Sequence, residues 1–351
     1  MEHFSCSTRI VSGAGASQAL KDLHIKRLLV VADPFFSKNG TASRIAAMAK
    51  AEETEIFAEV IPDPTVELAA KGAAVVQRFS PDTIVALGGG SAMDCAKGLL
   101  ALWDKRPTFV AVPTTSGTGS EVTSFTVLTH AGVKHPIVGP RLRPDIAILD
   151  DSLLTDLPAG LIAEAGMDAL SHCAEAVAAK GASGFSTALA TGAFRTLLTL
   201  LPRSYAGEAA VRGAIHEAAT MAGAAFDQAG LGACHALAHA VGGRFHVAHG
   251  KLGGIFLPHV LRFNAQTHPE PYEALAAACG LHGLGGLLAA LQRLRRQLKL
   301  PATLSQAGLS RMDVISVLDD LAAAAAADPC AGGNPRTLEA REARDLLRSA
   351  L

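Results

Sequence analysis

Short apolar segments and helical patterns alternate through the first 150 residues, and this alternation constrains the fold more than any other feature. The apolar segments span residues 28–32, 55–60, 83–87, 108–112 and 146–149. Continuous apolar runs of this length are typical of strands buried on both faces of a parallel sheet. Helical patterns, such as 66–78 and 91–102, lie between them. We therefore predict a doubly wound α/β domain with a parallel sheet.

The character of the chain changes after Asp150, where β-branched runs largely disappear and alanine and leucine dominate. Helical patterns cover residues 161–179, 185–201, 211–225, 284–298 and 314–327. We predict two domains: an α/β domain at 1–155 and an all-helical domain at 156–351. A length of 351 residues agrees with this division, because single hydrophobic cores rarely grow beyond about 250–300 residues.

Composition excludes several classes of protein. Hydrophobic residues make up 49% of the chain and charged residues 18%, which excludes a disordered chain. The net charge of −1 gives no electrostatic support for nucleic-acid binding. Mean hydropathy is +0.29, yet no apolar run reaches the ~18 residues of a membrane span. The N-terminal sequence lacks the pattern of a signal peptide, so we expect a cytoplasmic protein with six free thiols.

Two polar loops follow neighbouring predicted strands. The first contains Gly88, Gly89, Gly90 and Ser91, and the second is PTTSGTGSE at 113–121. Glycines let backbone N–H groups approach a phosphate, and a following helix N-terminus favours negative charge. A tight turn and a hydroxyl-rich helix cap would explain the same residues without a ligand. Two such loops at one edge of a parallel sheet favour a ligand site.

Asp33 follows the first predicted strand. A carboxylate at this position can accept hydrogen bonds from ribose hydroxyls and repel a 2′-phosphate, which favours NAD over NADP. A plain turn formed with Pro34 is the alternative interpretation.

Histidines are concentrated in the second half of the chain. Asp168 and His172 are four residues apart, as are His235 and His239, and His249 follows. The i, i+4 spacing brings two side chains to one face of a helix. Two such pairs predict a divalent metal site with nitrogen and oxygen ligands, suited to Fe²⁺, Zn²⁺, Mn²⁺ or Ni²⁺. Spacing alone does not select the ligands.

Taken together, these residues resemble the iron-containing (group III) alcohol dehydrogenase family, over nearly the whole chain. The motifs that carry the resemblance are PDPT at 62–65, GGGSAMDCAK at 88–97, PTTSGTGSEVT at 113–123, PDIAILD at 144–150, GMDALSH at 166–172 and GLGACHALAHAVGGRFHVAHG at 230–250. Within the family, FSCSTRIVSGAGA at 4–16, FDQAGLG at 226–232 and GNPRT at 333–337 look most similar to the 1-propanol dehydrogenases of bacterial microcompartments.

The resemblance implies a dehydroquinate-synthase-like fold, with NAD(H) bound by the first domain and Fe²⁺ held by the helical one; Zn²⁺ is the alternative ion. The implied metal ligands are Asp168, His172, His235 and His249. His239 then lies near the nicotinamide as a proton relay, although a packing role on its helix is the alternative. The implied cofactor-binding residues are Asp33, Asp63, Gly88, Gly89, Gly90, Ser91, Asp94, Thr114, Thr115, Thr118, Ser120, Lys134 and Leu153. Ala248 departs from the family pattern, which has proline there, and His246 is a competing ligand.

The implied activity is the interconversion of short aldehydes and primary alcohols, propionaldehyde and 1-propanol among them, with regeneration of NAD⁺. Phe125, Phe226, Leu237 and Phe245 are candidate apolar residues of the substrate pocket, and Arg244 is expected to face solvent. Three alternatives remain: a dehydrogenase for a polyol or a maleylacetate-like acid, a non-catalytic metal-binding or shell-associated protein, and a non-redox lyase of the same fold. We expect no nucleic-acid or membrane partner, a homodimer, and a location in the cytoplasm or inside a microcompartment.

Overall fold

The computed structural model describes residues 4–130 and 133–351, and for residues 133 and 134 it describes the backbone alone. The chain divides into two compact units, residues 6–157 and residues 158–351, the second of which includes the described residues before Cys6. The division lies two residues beyond the expected boundary. The ring of Phe4 stacks on that of Phe185 with centroids 5.8 Å apart, and so belongs to the helical unit.

The first unit is an α/β domain, as predicted. Its strands are β1 (Arg9–Ser12), β2 (Arg27–Ala32), β3 (Glu53–Phe57), β4 (Thr83–Gly88), β5 (Thr108–Pro113), β6 (Phe125–His130), β7 (Val133–Val138) and β8 (Ile146–Leu149). Its helices are α1 (Pro34–Lys38), α2 (Thr41–Ala49), α3 (Val66–Phe79) and α4 (Gly90–Ala101), with 3₁₀ turns at Ala16–Asp22, Pro140–Leu142 and Asp151–Leu154.

Six of these strands form a parallel sheet in the order β1-β8-β5-β4-β2-β3. Alternate residues of the central strands enter two separate apolar cores, one on each face. Leu29, Ile84 and Phe109 lie in one core, whereas Leu28 and Val85 lie in the other. This burial on both faces explains why the strands are continuous apolar runs.

Three strands were not predicted from the sequence. Strand β1 lies at the sheet edge and is mostly exposed, so it carries no continuous apolar run. Strands β6 and β7 pair with each other in an antiparallel ribbon outside the main sheet. β6 alternates buried and partly exposed residues, which is a weaker signal than a fully apolar run.

The regular secondary structure in the described part of the second unit is entirely helical, which confirms the predicted all-helical fold class. Its helices are α5 (Ala159–Ala176), α6 (Gly184–Tyr205), α7 (Arg212–Ala229), α8 (Ala233–Phe245), α9 (His249–Asn264), α10 (Glu270–Ala278), α11 (Gly283–Gln297), α12 (Arg311–Ser316), α13 (Leu318–Ala327), α14 (Pro329–Gly333) and α15 (Ala340–Ser349), with a 3₁₀ turn at Ala209–Val211. The helix predicted at 314–327 is interrupted at Val317, because the backbone dihedral angles of Val317 are not helical. Asp319 and Asp320 then favour the new N-terminus electrostatically.

Among the described residues, no single helix has the length and apolarity needed to cross a membrane. One pair, α10 and α11, passes that test only when both helices are counted together, and the two are bent by 61°.

Candidate active site

The two polar loops of the first unit meet at the carboxyl ends of β4 and β5. The N–H of Thr114 donates to the carbonyl of Gly88 at 2.9 Å. A Cβ added to Gly89 would lie 3.1 Å from the Thr115 hydroxyl oxygen, and one on Gly90 would lie 2.8 Å from a Thr118 methyl carbon. The glycines therefore let the two loops pack closely against each other.

Gly88 is required for a second reason. Its φ is +150°, and an added Cβ would lie only 2.6 Å from the Cβ of Ala92. Helix α4 begins directly after Gly89, and no side chain caps its N-terminus. The exposed N–H groups and the positive end of the helix dipole fit a phosphate group.

Asp33 lies beside this loop, at the point where the strand order reverses between β2 and β4. Open α/β sheets bind ligands at such a reversal. One carboxylate oxygen accepts from the N–H groups of Phe35, at 2.9 Å, and Phe36, at 3.3 Å, so Asp33 caps α1. Its other oxygen faces Gly88, 3.6 Å from where a Cβ would stand. The turn and the cofactor interpretation are therefore compatible.

Lys97 holds the second loop in place, although sequence analysis gave it no role. It is fully buried in α4, and its ammonium group donates to the Ser120 hydroxyl at 3.0 Å and to the Thr123 and Phe125 carbonyls at 2.9 Å each. Ser120 is thereby engaged within the protein. The sequence signal for this role was a lysine on an apolar helix face, followed along the chain by a loop rich in hydroxyl side chains.

The remaining predicted cofactor residues are more dispersed. Asp63 is exposed and has a φ of +50° in the loop between β3 and α3. Ser91 and Asp94 are half-buried in α4, and Leu153 packs against the apolar core around β2. The backbone of Lys134 belongs to β7, whereas its side chain lies outside the described part of the structure.

Three of the four predicted metal ligands converge in the helical unit. The donor atoms of Asp168, His235 and His249 lie within 4.8 Å of one another. The Oδ1 of Asp168 is 3.9 Å from His235 Nε2 and 3.8 Å from His249 Nε2. Helices α5, α8 and α9 each supply one of these side chains, so long-range packing brings them together.

Among the described residues, His172 lies beside this group, but its donor atoms are not among those that converge there. Its ring stacks on that of His235 with centroids 4.5 Å apart, and on Phe226 at 4.3 Å. The stack brings His172 close to the other ligands while its ring is parallel to that of His235. Sequence spacing brings His172 to the correct face of α5 but does not determine its ring orientation.

Glu175 is a site residue that sequence analysis missed. Its buried carboxylate accepts from His235 Nδ1 at 2.6 Å, from the Cys234 N–H at 2.6 Å and from the Gly232 N–H at 3.0 Å. It thus orients His235 and satisfies the first N–H groups of α8. Glu175 is seven residues after Asp168, on the same face of α5, which was the available signal.

The donor set fits a divalent cation. Asp168 Oδ1 and His235 Nε2 are both buried and have no hydrogen-bond partner, and they face each other. Burial raises the pKa of Asp168 to about 6, against the opposing charges of His235 and His239. Burial lowers the pKa of His235, but the charge and hydrogen bond of Glu175 outweigh it and raise that pKa overall. A cation would favour the ionised aspartate and the neutral imidazole at once.

His239 lies next to this group and has its own partner. Its Nδ1 is 2.9 Å from Asp328 Oδ2, and its ring stacks on that of His249 with centroids 5.2 Å apart. Burial raises the pKa of Asp328, yet the hydrogen bond and charge of His239 and the Cys330 N–H lower it overall. Asp328 is 89 residues from His239, so no local pattern revealed this pair.

The structure also describes His246, the competing ligand, and Ala248, which departs from the family pattern. His246 ends α8 in the left-handed region, with a φ of 56°, and is exposed. Ala248 precedes α9 with a φ of −55° and a ψ of 133°, within the range that proline imposes. Alanine therefore adopts the backbone of the proline that it replaces.

The candidate residues of the substrate pocket differ in how deeply they are buried. Phe226 is buried against His172, and Leu237 is fully buried in α8. Phe125, in the first unit, and Phe245 are half-buried. Arg244 is exposed, as expected.

Comparisons with known proteins agree with this geometry. Residues 7–151 match the model for iron-containing alcohol dehydrogenases, and residues 162–351 match the model for the C-terminal part of that family. The chain is 36% identical to 1-propanol dehydrogenase PduQ of Citrobacter freundii, with both chains covered completely.

Solved structures give the same result. An iron-containing alcohol dehydrogenase from Thermococcus thioreducens has a TM-score of 0.94 at 32% identity, with 99% of each chain covered. A sulfoacetaldehyde reductase from Bifidobacterium kashiwanohense, in complex with NAD⁺, has a TM-score of 0.92 at 25% identity and covers 100% of this chain and 98% of its own. The chain is therefore an oxidoreductase that belongs to the iron-containing alcohol dehydrogenase family.

Proposed function

We propose that this protein is an NAD(H)-linked, iron-dependent alcohol dehydrogenase that reduces a short aliphatic aldehyde such as propionaldehyde to the primary alcohol and regenerates NAD⁺. One observation carries the proposal: Asp168 and His235 direct two buried, unpartnered donor atoms at each other, with His249 beside them. A relative with full-length coverage is named a 1-propanol dehydrogenase, which supports the choice of substrate.

Asp168, His172, His235 and His249 would hold Fe²⁺ in this proposal, with His172 joining from its stacked position. The bound ion supplies Lewis acidity toward the substrate oxygen, and the nicotinamide supplies or accepts the hydride. Glu175 accepts a hydrogen bond from the Nδ1–H of His235 and thereby keeps the Nε2 lone pair directed at Asp168.

His239 is the proposed proton relay. Its Nδ1 donates to Asp328, which leaves Nε2 able to take up and release a proton. The side chain is 31% exposed, so that proton has a route to water. When an aldehyde is reduced, His239 delivers the proton to the product oxygen; when an alcohol is oxidised, it removes it.

The first unit would bind the cofactor. In this proposal the N–H groups at Gly89 and Gly90 and the N-terminus of α4 bind the pyrophosphate, and the threonines of the second loop contact the nicotinamide half. Lys97 keeps that loop rigid through its buried hydrogen bonds. Asp33 accepts from the ribose hydroxyls.

Replacing Asp33 with asparagine is expected to weaken the preference for NADH over NADPH. Asparagine keeps the size and the capping ability of the side chain but removes the charge that repels a 2′-phosphate. The ratio of the two kcat/KM values should change by about tenfold for each ~1.4 kcal/mol of repulsion removed. Steady-state kinetics with both cofactors measure it, and an Asp33→Gly variant should change the ratio in the same direction. A wild-type protein that already uses both cofactors equally would contradict this role.

The substrate proposal is tested with the iron-loaded protein and NADH. We expect a higher kcat/KM for propionaldehyde than for maleylacetate, and, in the oxidation direction with NAD⁺, a higher value for 1-propanol than for glycerol. Arg244, the cationic residue next to Phe245, is exposed to solvent, which argues against its receiving a second carboxylate in the pocket. His235→Ala protein prepared in parallel controls for contaminating dehydrogenases. A preference for maleylacetate would refute the substrate but not the family, whereas no NADH consumption with any substrate would favour a non-catalytic role.

The same proposal includes a homodimer in the cytoplasm, with association with a bacterial microcompartment as its alternative location. The resemblance of residues 226–232 and 333–337 to the 1-propanol dehydrogenases of microcompartments supports the second location. Size-exclusion chromatography with light scattering tests the dimer, and co-purification with shell particles from the source cells tests the location.

A further inference from the structure

A second group of metal-ligand side chains lies in the helical unit. The donor atoms of His239, Asp328 and Cys330 are within 4.8 Å of one another, and each residue is partly buried. The group shares no residue with Asp168, His235 and His249. Unlike that first group, it contains a thiol, which prefers softer divalent ions.

We propose that His239, Asp328 and Cys330 form a second metal site, specific for a thiophilic divalent cation such as Zn²⁺. One imidazole, one carboxylate and one thiolate supply three ligands of a tetrahedral zinc site and leave one position open. Donor atoms in such sites are about 3.3–3.8 Å apart, given metal–ligand distances of ~2.0–2.3 Å. The 4.8 Å limit on the donor-atom spacings exceeds these values by only about 1 Å, so small side-chain movements bring the three donor atoms into range.

Hydrogen bonds of the Asp328 and Asn334 side chains already hold these three residues together. Asp328 Oδ1 accepts from the Cys330 N–H at 2.8 Å and thus caps α14, while Oδ2 meets His239 at 2.9 Å. The segment that follows is fixed to α8 by Asn334, whose buried side chain accepts from the Ala233 N–H at 3.1 Å. Gly333 permits this close approach, because an added Cβ would lie 2.4 Å from the Leu231 carbonyl oxygen.

The charges of the group also suit a divalent ion. Asp328 and a Cys330 thiolate together carry two negative charges, which a divalent cation neutralises. Without an ion, burial raises the pKa of Cys330, and the nearby carboxylates of Asp328 and Glu175 raise it further. Binding of the cation displaces the thiol proton, as at other cysteine metal sites.

Occupancy of this site would oppose catalysis. This consequence rests on the proposed function, because His239 is the proton relay there. A metal ion bound to the His239 ring, together with Asp328, would remove the hydrogen bond that orients the imidazole. Zinc would therefore inhibit reversibly while iron stays on Asp168, His172, His235 and His249.

The test is an anaerobic titration of the iron-loaded, full-length protein with Co²⁺, a spectroscopic substitute for Zn²⁺. We expect one extra equivalent of bound cobalt and a near-ultraviolet thiolate-to-cobalt charge-transfer band. Cys330→Ser should lose both, whereas Cys279→Ser, at another half-buried cysteine, should keep both. His235→Ala should lose iron and yet retain the charge-transfer band.

A wild-type protein without the band, or a band that survives in Cys330→Ser, would overturn the second site. Neither result affects the iron site, which elemental analysis of the same samples measures separately. Conversely, loss of iron dependence with a normal cobalt band would refute the proposed function and leave the second site standing.

Discussion

Replacing His235 with alanine is expected to strip iron from the purified protein and to abolish turnover. The substitution removes one donor atom from the group at Asp168 and His249 and leaves Glu175 buried without its imidazole partner. Loss of a residue that only hydrogen-bonds to a metal ligand already costs about 10- to 100-fold in metal affinity. Loss of a ligand itself should therefore cost more. Elemental analysis and kcat/KM for propionaldehyde measure the two effects.

His239→Ala is the matched control, because it removes the other histidine of the same i, i+4 pair on α8. We expect this variant to keep its iron while losing most of its turnover. Loss of iron in His239→Ala, together with retention in His235→Ala, would reverse the assignment of ligand and relay.

Replacing Gly250 with alanine is expected to destabilise the helical unit and weaken metal binding. Gly250 follows His249 in α9, and an added Cβ would lie 1.9 Å from the backbone carbonyl oxygen of Glu164 in α5. A backbone atom cannot rotate away, so α5 and α9 must move apart. This movement also increases the distance between Asp168 on α5 and His249 on α9. Overpacking of this kind costs about 1–3 kcal/mol in the free energy of unfolding, more than the ~1 kcal/mol that alanine gains over glycine in a helix. Urea unfolding and a metal titration measure both effects.

Gly243→Ala provides the control for helix propensity alone. Gly243 lies in α8, and an added Cβ there meets no atom within 4 Å. This variant should be as stable as the wild type or up to ~1 kcal/mol more stable, with unchanged iron content. Equal stability of the two variants would show that α5 and α9 accommodate the extra methyl group with no loss in the free energy of unfolding. It would contradict the role given to Gly250.

Much of the sheet was predictable because its central strands are buried on both faces. Four of the six strands in the parallel sheet, β2, β4, β5 and β8, carry an apolar run, and β8 coincides with the predicted 146–149. Strand β3, at the opposite edge from β1, is mostly exposed and spans residues 53–57, whereas 55–60 was predicted. Edge position and partial exposure removed that signal from β1, and the alternating pattern of β6 was too weak to recognise. Helix α3 was predictable because its local signals agree: the Thr65 hydroxyl accepts from the Leu68 N–H at 3.1 Å and marks its start.

The candidate site was predictable to the extent that its residues follow local spacing or a family motif. The i, i+4 pairs on α5 and α8 were visible directly, and the motifs supplied His249. Glu175 follows the same face of α5 but was missed, since a single carboxylate on a helix is usually a solvated residue. Asp328 was not accessible to local analysis, because 89 residues separate it from His239.

The sequence by itself determined the central strands of the sheet, most of the helices, the glycine and hydroxyl loops and the histidine pairs, because backbone geometry and side-chain periodicity are local properties. Only the tertiary structure decided which donor atoms meet. Asp168, His235 and His249 lie on three helices, and the approach of α5 to α9 depends on the missing Cβ of Gly250. The pairing of His239 with Asp328, and the arrival of Cys330 beside them, likewise depend on how α14 packs near α8. Packing of distant segments sets distances between side chains, and no periodicity within one segment encodes them.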